Sequence, residues 1–105
     1  MTAVLHVSVT AGSLEVARRL LTSAVRARLA AGGRIGGPYE SVFWHEGTVG
    51  AADEWTILLI TTEERFAALR DHLLAEHEWD NPEIAAVVLD HGSEPYLRWA
   101  RDTVH

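Results

Sequence analysis

The run His77-Glu78-Trp79-Asp80-Asn81-Pro82-Glu83 gathers one imidazole and three carboxylates beside a proline-fixed turn. A histidine with nearby carboxylates can ligate a divalent cation, the carboxylates either binding directly or orienting the ring from behind. His77, Asp80 and Glu83 are therefore candidate metal ligands. The same histidine also has a structural reading: it extends an apolar stripe, Phe66, Leu69, Leu73, and an imidazole at a helix C-terminus is favoured by the helix dipole. Both readings stay open at this level.

Two further clusters could take part. Trp44-His45 lies at the end of an apolar stretch, and Asp53-Glu54-Trp55 lies where a loop enters a strand. His45 is a fourth candidate ligand. Trp44, Glu54 and Trp79 are candidate walls of a pocket for a small organic ligand, since aromatic walls with a few polar groups suit that use. Exposed tryptophan would alternatively anchor a protein partner. Imidazole and carboxylate together suffice for acid-base catalysis, yet no reaction is specified and the expectation is a non-enzymatic protein. His6, His72, His91 and His105 carry less weight; His72 and Glu76, four apart, read as a surface pair.

Composition narrows the classes. The 105 residues make one domain, 1–105, too short to bury a second core. No cysteine is present, which excludes a disulfide framework, a thiolate metal site and a cysteine nucleophile. A formal net charge of −6 opposes nucleic-acid binding, and the nine basic residues are all arginine and scattered. Arg18, Arg19, Arg26 and Arg28 fall on one helix and read as a solvated face. The first residues lack a basic leader and a long apolar run, so a cytoplasmic protein with no membrane partner is expected. Without sulfur beyond Met1, copper(I) is unsuited; copper(II), zinc or nickel on imidazole and carboxylate is the expected metal chemistry.

The elements that must position these residues follow from periodicity. Alternation from Ala3 to Val9 predicts a strand. Ser13 is placed to cap a helix whose apolar positions run from Leu14 to Ala31, ended by Gly32-Gly33. Arg34 to His45 reads as a second strand, Glu46-Gly47 as a turn, Gly50 to Asp53 as a loose loop, and Trp55 to Ile60 as a third strand. Thr61 and Glu64 form a capping-box pattern ahead of a second helix. Ile84 to Leu89 is the fourth strand and Glu94 to Thr103 a last helix with Tyr96, Leu97 and Ala100 inward. This order is an α+β fold, the ferredoxin-like split arrangement of an antiparallel sheet under two helices, with an extra C-terminal helix.

Strands three and four are apolar on both faces, while two helices cover only one. At about 25 cal/mol per Å², leaving that second face in water forgoes several kcal/mol. Self-association is the economical way to cover it.

Several segments in order, Arg28-Leu29-Ala30-Ala31, Phe43-Trp44-His45-Glu46-Gly47, Thr61-Thr62-Glu63-Glu64-Arg65-Phe66, Pro82-Glu83-Ile84 and Tyr96-Leu97-Arg98-Trp99, resemble the CutA divalent-cation tolerance proteins. The resemblance runs from Val4 to Trp99. It implies a homotrimer whose sheets pack around a three-fold axis, with Glu54, His45 and the His77-to-Glu83 turn meeting at a subunit boundary. The family generally shows His-Pro-Tyr where this chain has His77-Glu78-Trp79, and Tyr-x-Trp-x-Gly where it has Phe43-x-His45-x-Gly47. The family's cysteine positions are Gly32 and Val9 here, so of its metal-associated residues only His77 is kept. A one-residue move of the tryptophan puts the indole on the other face of its strand.

Overall fold

The computed structural model describes residues 1–105. Strand β1 (Val4–Ala11) buries Leu5, Val7, Val9 and Ala11 against the helices, and Ser13 then opens α1 (Leu14–Arg26). Its backbone is extended and its hydroxyl accepts the Val16 N–H at 3.1 Å, satisfying a donor that the helix itself cannot. Helix α1 turns Val16, Ala17, Leu20 and Ala24 inward. It ends at Arg26, five residues short of the expected Ala31. Arg28, rather than a glycine, takes the left-handed conformation (φ 58°), and the Leu29 and Ala30 N–H groups both close on the Ala24 carbonyl.

Gly32-Gly33 therefore do not cap the helix; they begin β2 (Gly32–His45). A side chain at Gly33 would come within 2.4 Å of the Leu58 carbonyl and 2.7 Å of Leu21 Cδ1, so close packing, not helix termination, requires the glycine. A two-residue turn follows, with positive φ at Glu46 (50°) and Gly47 (83°), the geometry that matches the twist of paired strands. Strand β3 (Thr48–Thr62) absorbs the expected loop at Gly50 to Asp53, whose residues pair with Glu40 to Phe43. Helix α2 (Glu63–Glu76), β4 (Ile84–Val88) and α3 (Glu94–Thr103) complete the chain.

The sheet is antiparallel with order β2-β3-β1-β4, an α+β fold of the expected ferredoxin-like kind. The main core lies between the sheet and the pair α1 and α2, where Leu20, Ile57, Leu59, Leu69 and Leu73 are wholly buried. Each contributes about 1.5–3 kcal/mol by burial. Thr61 does not act in a capping box. Its hydroxyl is buried and donates to the Leu29 carbonyl at 2.7 Å, tying the α1–β2 crossing to β3, while Thr62 starts α2 without a side-chain cap bond.

The second face is partly covered by α3. Ala100 and Val104 pack on Val4, Ala31 and Ile60, with Leu89, Tyr96 and Leu97 around them. Arg101 donates to the Thr2 carbonyl (3.0 Å) and Arg28 to the Thr103 carbonyl (3.2 Å), pinning the C-terminal turn of the helix. Beyond α3 the same face presents Leu58, Ala85 and Val87, the last 66% exposed. His6 lies at the margin of the helix, its Nε2 3.1 Å from Tyr96 Oη.

Strand β3 has 15 residues and β1 only eight, so β2 and β3 continue as a two-stranded arm from Tyr39↔Glu54 to His45↔Thr48. The arm is roughly 20 Å long at 3.4 Å per residue, which contributes to a molecule measuring 44 × 25 × 21 Å. A register shift between Gly36 and Tyr39, with Gly37 at φ +124°, marks its base. Val42, Trp44 and Val49 share the face that continues the helix side of the sheet, but no helix reaches them and they are 65%, 76% and 59% exposed.

Replacing Thr61 by valine removes the donor that satisfies the buried Leu29 carbonyl and is expected to cost about 1–3 kcal/mol. Urea denaturation at fixed chain concentration measures it. Burial first, then the Arg34 guanidinium, holds the His6 pKa below its usual 6.5. The folded state thus binds fewer protons than the unfolded one as pH falls below 6.5, and stability drops in that window down to the lowered folded pKa. Denaturation midpoints for the parent and His6→Asn across this window are expected to converge toward acid.

Candidate functional site

Helix α2 ends as the His77 N–H closes on the Leu73 carbonyl (2.9 Å) and the chain turns extended. The His77 ring then engages both nitrogens. Nε2 lies 2.7 Å from the Thr10 carbonyl, to which it donates, and Nδ1 accepts the Trp79 N–H at 3.0 Å. These partners assign the neutral Nε2–H tautomer. No lone pair is left for a cation, so a His77 ligand would first have to abandon one of these bonds. In this geometry His77 is a brace for the turn.

What it braces is the end of β1. Pairing with β4 stops at Val9↔Ile84, so the Thr10 carbonyl has no strand partner there and the imidazole supplies one. The Thr10 hydroxyl in turn donates to Glu83 Oε1 at 3.2 Å. Trp79 tilts against the His77 ring, centroids 5.2 Å apart, and its six-membered ring comes so close to Gly12 that a Cβ there would lie 3.0 Å from it. Pro82 is buried beneath this turn, while Glu78, Asp80 and Glu83 remain exposed.

The structure thus brings His77, Trp79 and Glu83 together around Thr10 to Gly12. Asp80 is exposed nearby and makes no side-chain hydrogen bond or ion pair. His45 and Trp44 stand at the far tip of the arm, where His45 faces Glu46 at 3.8 Å in water. Glu54 is at the arm's base, partly buried and opposite Tyr39, roughly 20 Å of strand away from the tip. Within one chain no three histidine or carboxylate side chains are placed to hold a metal ion. Nor do Trp44, Glu54 and Trp79 wall a common pocket: the arm separates the first two.

Thr10 is the residue the sequence reading missed. It touches His77 and Glu83 across 67 and 73 residues of chain, and nothing local announces that pairing.

Residues 5–103 match the family described as CutA1 divalent ion tolerance protein. The chain belongs to the CutA1 family. A CutA protein of Archaeoglobus fulgidus, named a divalent-cation tolerance protein, is 38% identical over 96 residues, covering 91% of this chain and 93% of that one. A chloroplastic CutA 1 protein of rice, Oryza sativa, is 36% identical over 97 residues, and the match spans 92% of this chain but 55% of the rice protein. The solved structure of the A. fulgidus protein, described as periplasmic, superposes with a TM-score of 0.93 at 35% identity over 97% of this chain and 99% of that one. CutA1 relatives therefore carry names from more than one compartment. In this chain no helix is long and apolar enough to cross a membrane.

His77→Ala leaves the Thr10 carbonyl and the Trp79 N–H without their partner and is expected to destabilise the CutA1 fold by about 1–3 kcal/mol. Denaturation followed by tryptophan fluorescence checks this.

Proposed function

We propose that this CutA1-family chain is a cytoplasmic, non-enzymatic homotrimer that binds a divalent cation at the boundary between subunits. The observation that carries the reading is the arm. An isolated two-stranded ribbon is marginal in water, and this one adds exposed Val42, Trp44 and Val49 to one face. A neighbouring copy supplies the missing cover, and the open sheet face around Leu58, Ala85 and Val87 gives it a second apolar surface to meet. The family membership supports a role with divalent cations. The cytoplasmic location rests on the sequence reading alone.

The available donors decide how an ion would be held. Asp80 and Glu83 are exposed carboxylates at the base of one chain, and His45 is an exposed imidazole at the end of an arm that reaches outward. Because one chain does not gather three such groups, they fit a cation only when a neighbour's arm completes the set. Imidazole and carboxylate without sulfur suit copper(II), zinc or nickel. His77 then acts by holding the turn in place.

The same boundary supports a second reading, a small organic ligand between Trp44, Trp79 and Glu54, favoured by two indoles that remain exposed.

Sedimentation equilibrium of the parent is expected to show three chains of 11.6 kDa, and Val42→Glu to shift it to one. Calorimetric titration with copper(II), zinc and nickel is expected to weaken at least tenfold in His45→Ala and Glu83→Gln. It should also fail in Val42→Glu, whose donors are intact. A monomeric parent, or metal heats equal in all variants, overturns the reading; thermal stabilisation by metabolites in metal-free buffer would favour the second.

A further inference from the structure

Three arginines of this acidic chain, Arg18, Arg19 and Arg26, lie along α1 without a carboxylate partner, and Arg34 on β2 is likewise unpaired. Arg70, Arg98 and Arg101 each face a carboxylate within 4 Å, whereas Arg18 and Arg26 make no ion pair or hydrogen bond. Glu15, three and four residues before Arg18 and Arg19, pairs with neither. With Arg19, Thr22, Ser23, Ala27 and His72, Arg18 and Arg26 line a shallow, open depression of about 670 Å³ beside α1, with His72 contributed by α2.

The carboxylate at the edge of this depression is already committed. Glu76 Oε2 accepts the Ser23 hydroxyl at 2.8 Å and lies 3.2 Å from His72 Nε2, which itself is 2.7 Å from Ser23 Oγ. This triangle joins the two helices. It does not form an acyl-transfer centre, because the carboxylate shares the nitrogen that faces the hydroxyl instead of orienting the ring from its other side. The Glu76 carbonyl also takes one Arg19 N–H at 3.3 Å, fixing that guanidinium at the edge of the depression with donors to spare.

We propose that this depression binds a phosphate-bearing small molecule, held by the guanidinium groups of Arg18, Arg19 and Arg26, with the Thr22 hydroxyl as a further donor. Three guanidinium forks within two turns of one helix repel one another in the absence of an anion. A multiply charged phosphate with several acceptor oxygens relieves that repulsion and meets forks from more than one side. A single carboxylate engages one fork. The surrounding net charge of −6 selects against large polyanions such as nucleic acid, which would meet repulsion outside the depression.

Inorganic pyrophosphate is the probe, titrated into ¹⁵N-labelled protein without metal and followed by amide and arginine side-chain resonances. Shifts confined to residues 18–27 and His72, weakened at least tenfold in Arg18→Gln/Arg26→Gln and unchanged in Arg98→Gln, are expected. Both arginine variants alter exposed side chains, and their amide spectra verify folding. Absence of shifts at 10-millimolar-order pyrophosphate (roughly the upper end of weak binding), equal shifts at Arg70 and Arg98, or persistence in the double variant overturns the site. The readout is independent of metal binding and of subunit association.

Discussion

A strand can be buried only as far as its neighbours extend, and β3 outruns β1 by seven residues (15 against eight). That mismatch shapes the molecule. The half of β3 from Trp55 onward is a central strand under two helices, with Ile57 and Leu59 wholly buried. The half before it pairs with β2 alone and carries its apolar residues into water. One continuous element is thus both the stable centre of a single chain and the part that cannot be satisfied by that chain. The α3 helix softens the same problem on the second sheet face but ends before Leu58, Ala85 and Val87 are covered.

The end of β1 shows a similar economy. β4 is only five residues long, so it leaves the Thr10 carbonyl unpaired, and the helix-ending histidine fills the place of a strand. The Thr10 hydroxyl and Glu83 add a second tie between β1 and the segment that enters β4. A residue that looks like a ligand from its neighbours in sequence is, from its neighbours in space, part of the backbone hydrogen-bond network. The carboxylates around it stay in solvent and remain available.

Much of this architecture was legible in the sequence. Alternation located β1, a short apolar run located β4, Ser13 marked the start of α1, and Glu94 to Thr103 was bounded correctly from the Gly92-Ser93 break and the inward Tyr96, Leu97 and Ala100. The exceptions have local causes. Gly32-Gly33 resemble a helix stop, but the bare Gly33 serves the close approach of α1 and β3, and Gly32 lies against the Trp99 ring of α3. Gly50-Ala51-Ala52-Asp53 has weak strand propensity and is extended only because β2 pairs with it. For the candidate site, His77, Asp80 and Glu83 lie close in sequence between α2 and β4, whereas the Thr10 contact and the distance of His45 depend on register and arm length, which no short window contains. Arg18, Arg19 and Arg26 are exposed along α1, as a solvated face requires, while the approach of His72 from α2 depends on helix packing that no short window contains.

Thr2 ties the two ends of the chain together. Its carbonyl accepts from Arg101 and its hydroxyl meets the Glu64 N–H at 3.4 Å, so the beginning of the first strand rests against the last helix. Through these hydrogen bonds the segment ahead of β1 and helix α3 are held side by side. A short bridge between the termini would add little loop-closure entropy, and the chain could then be opened at Glu46-Gly47, the exposed tip farthest from the core, with every strand ladder retained. The order of the elements along the polypeptide is thus separable from their order in space.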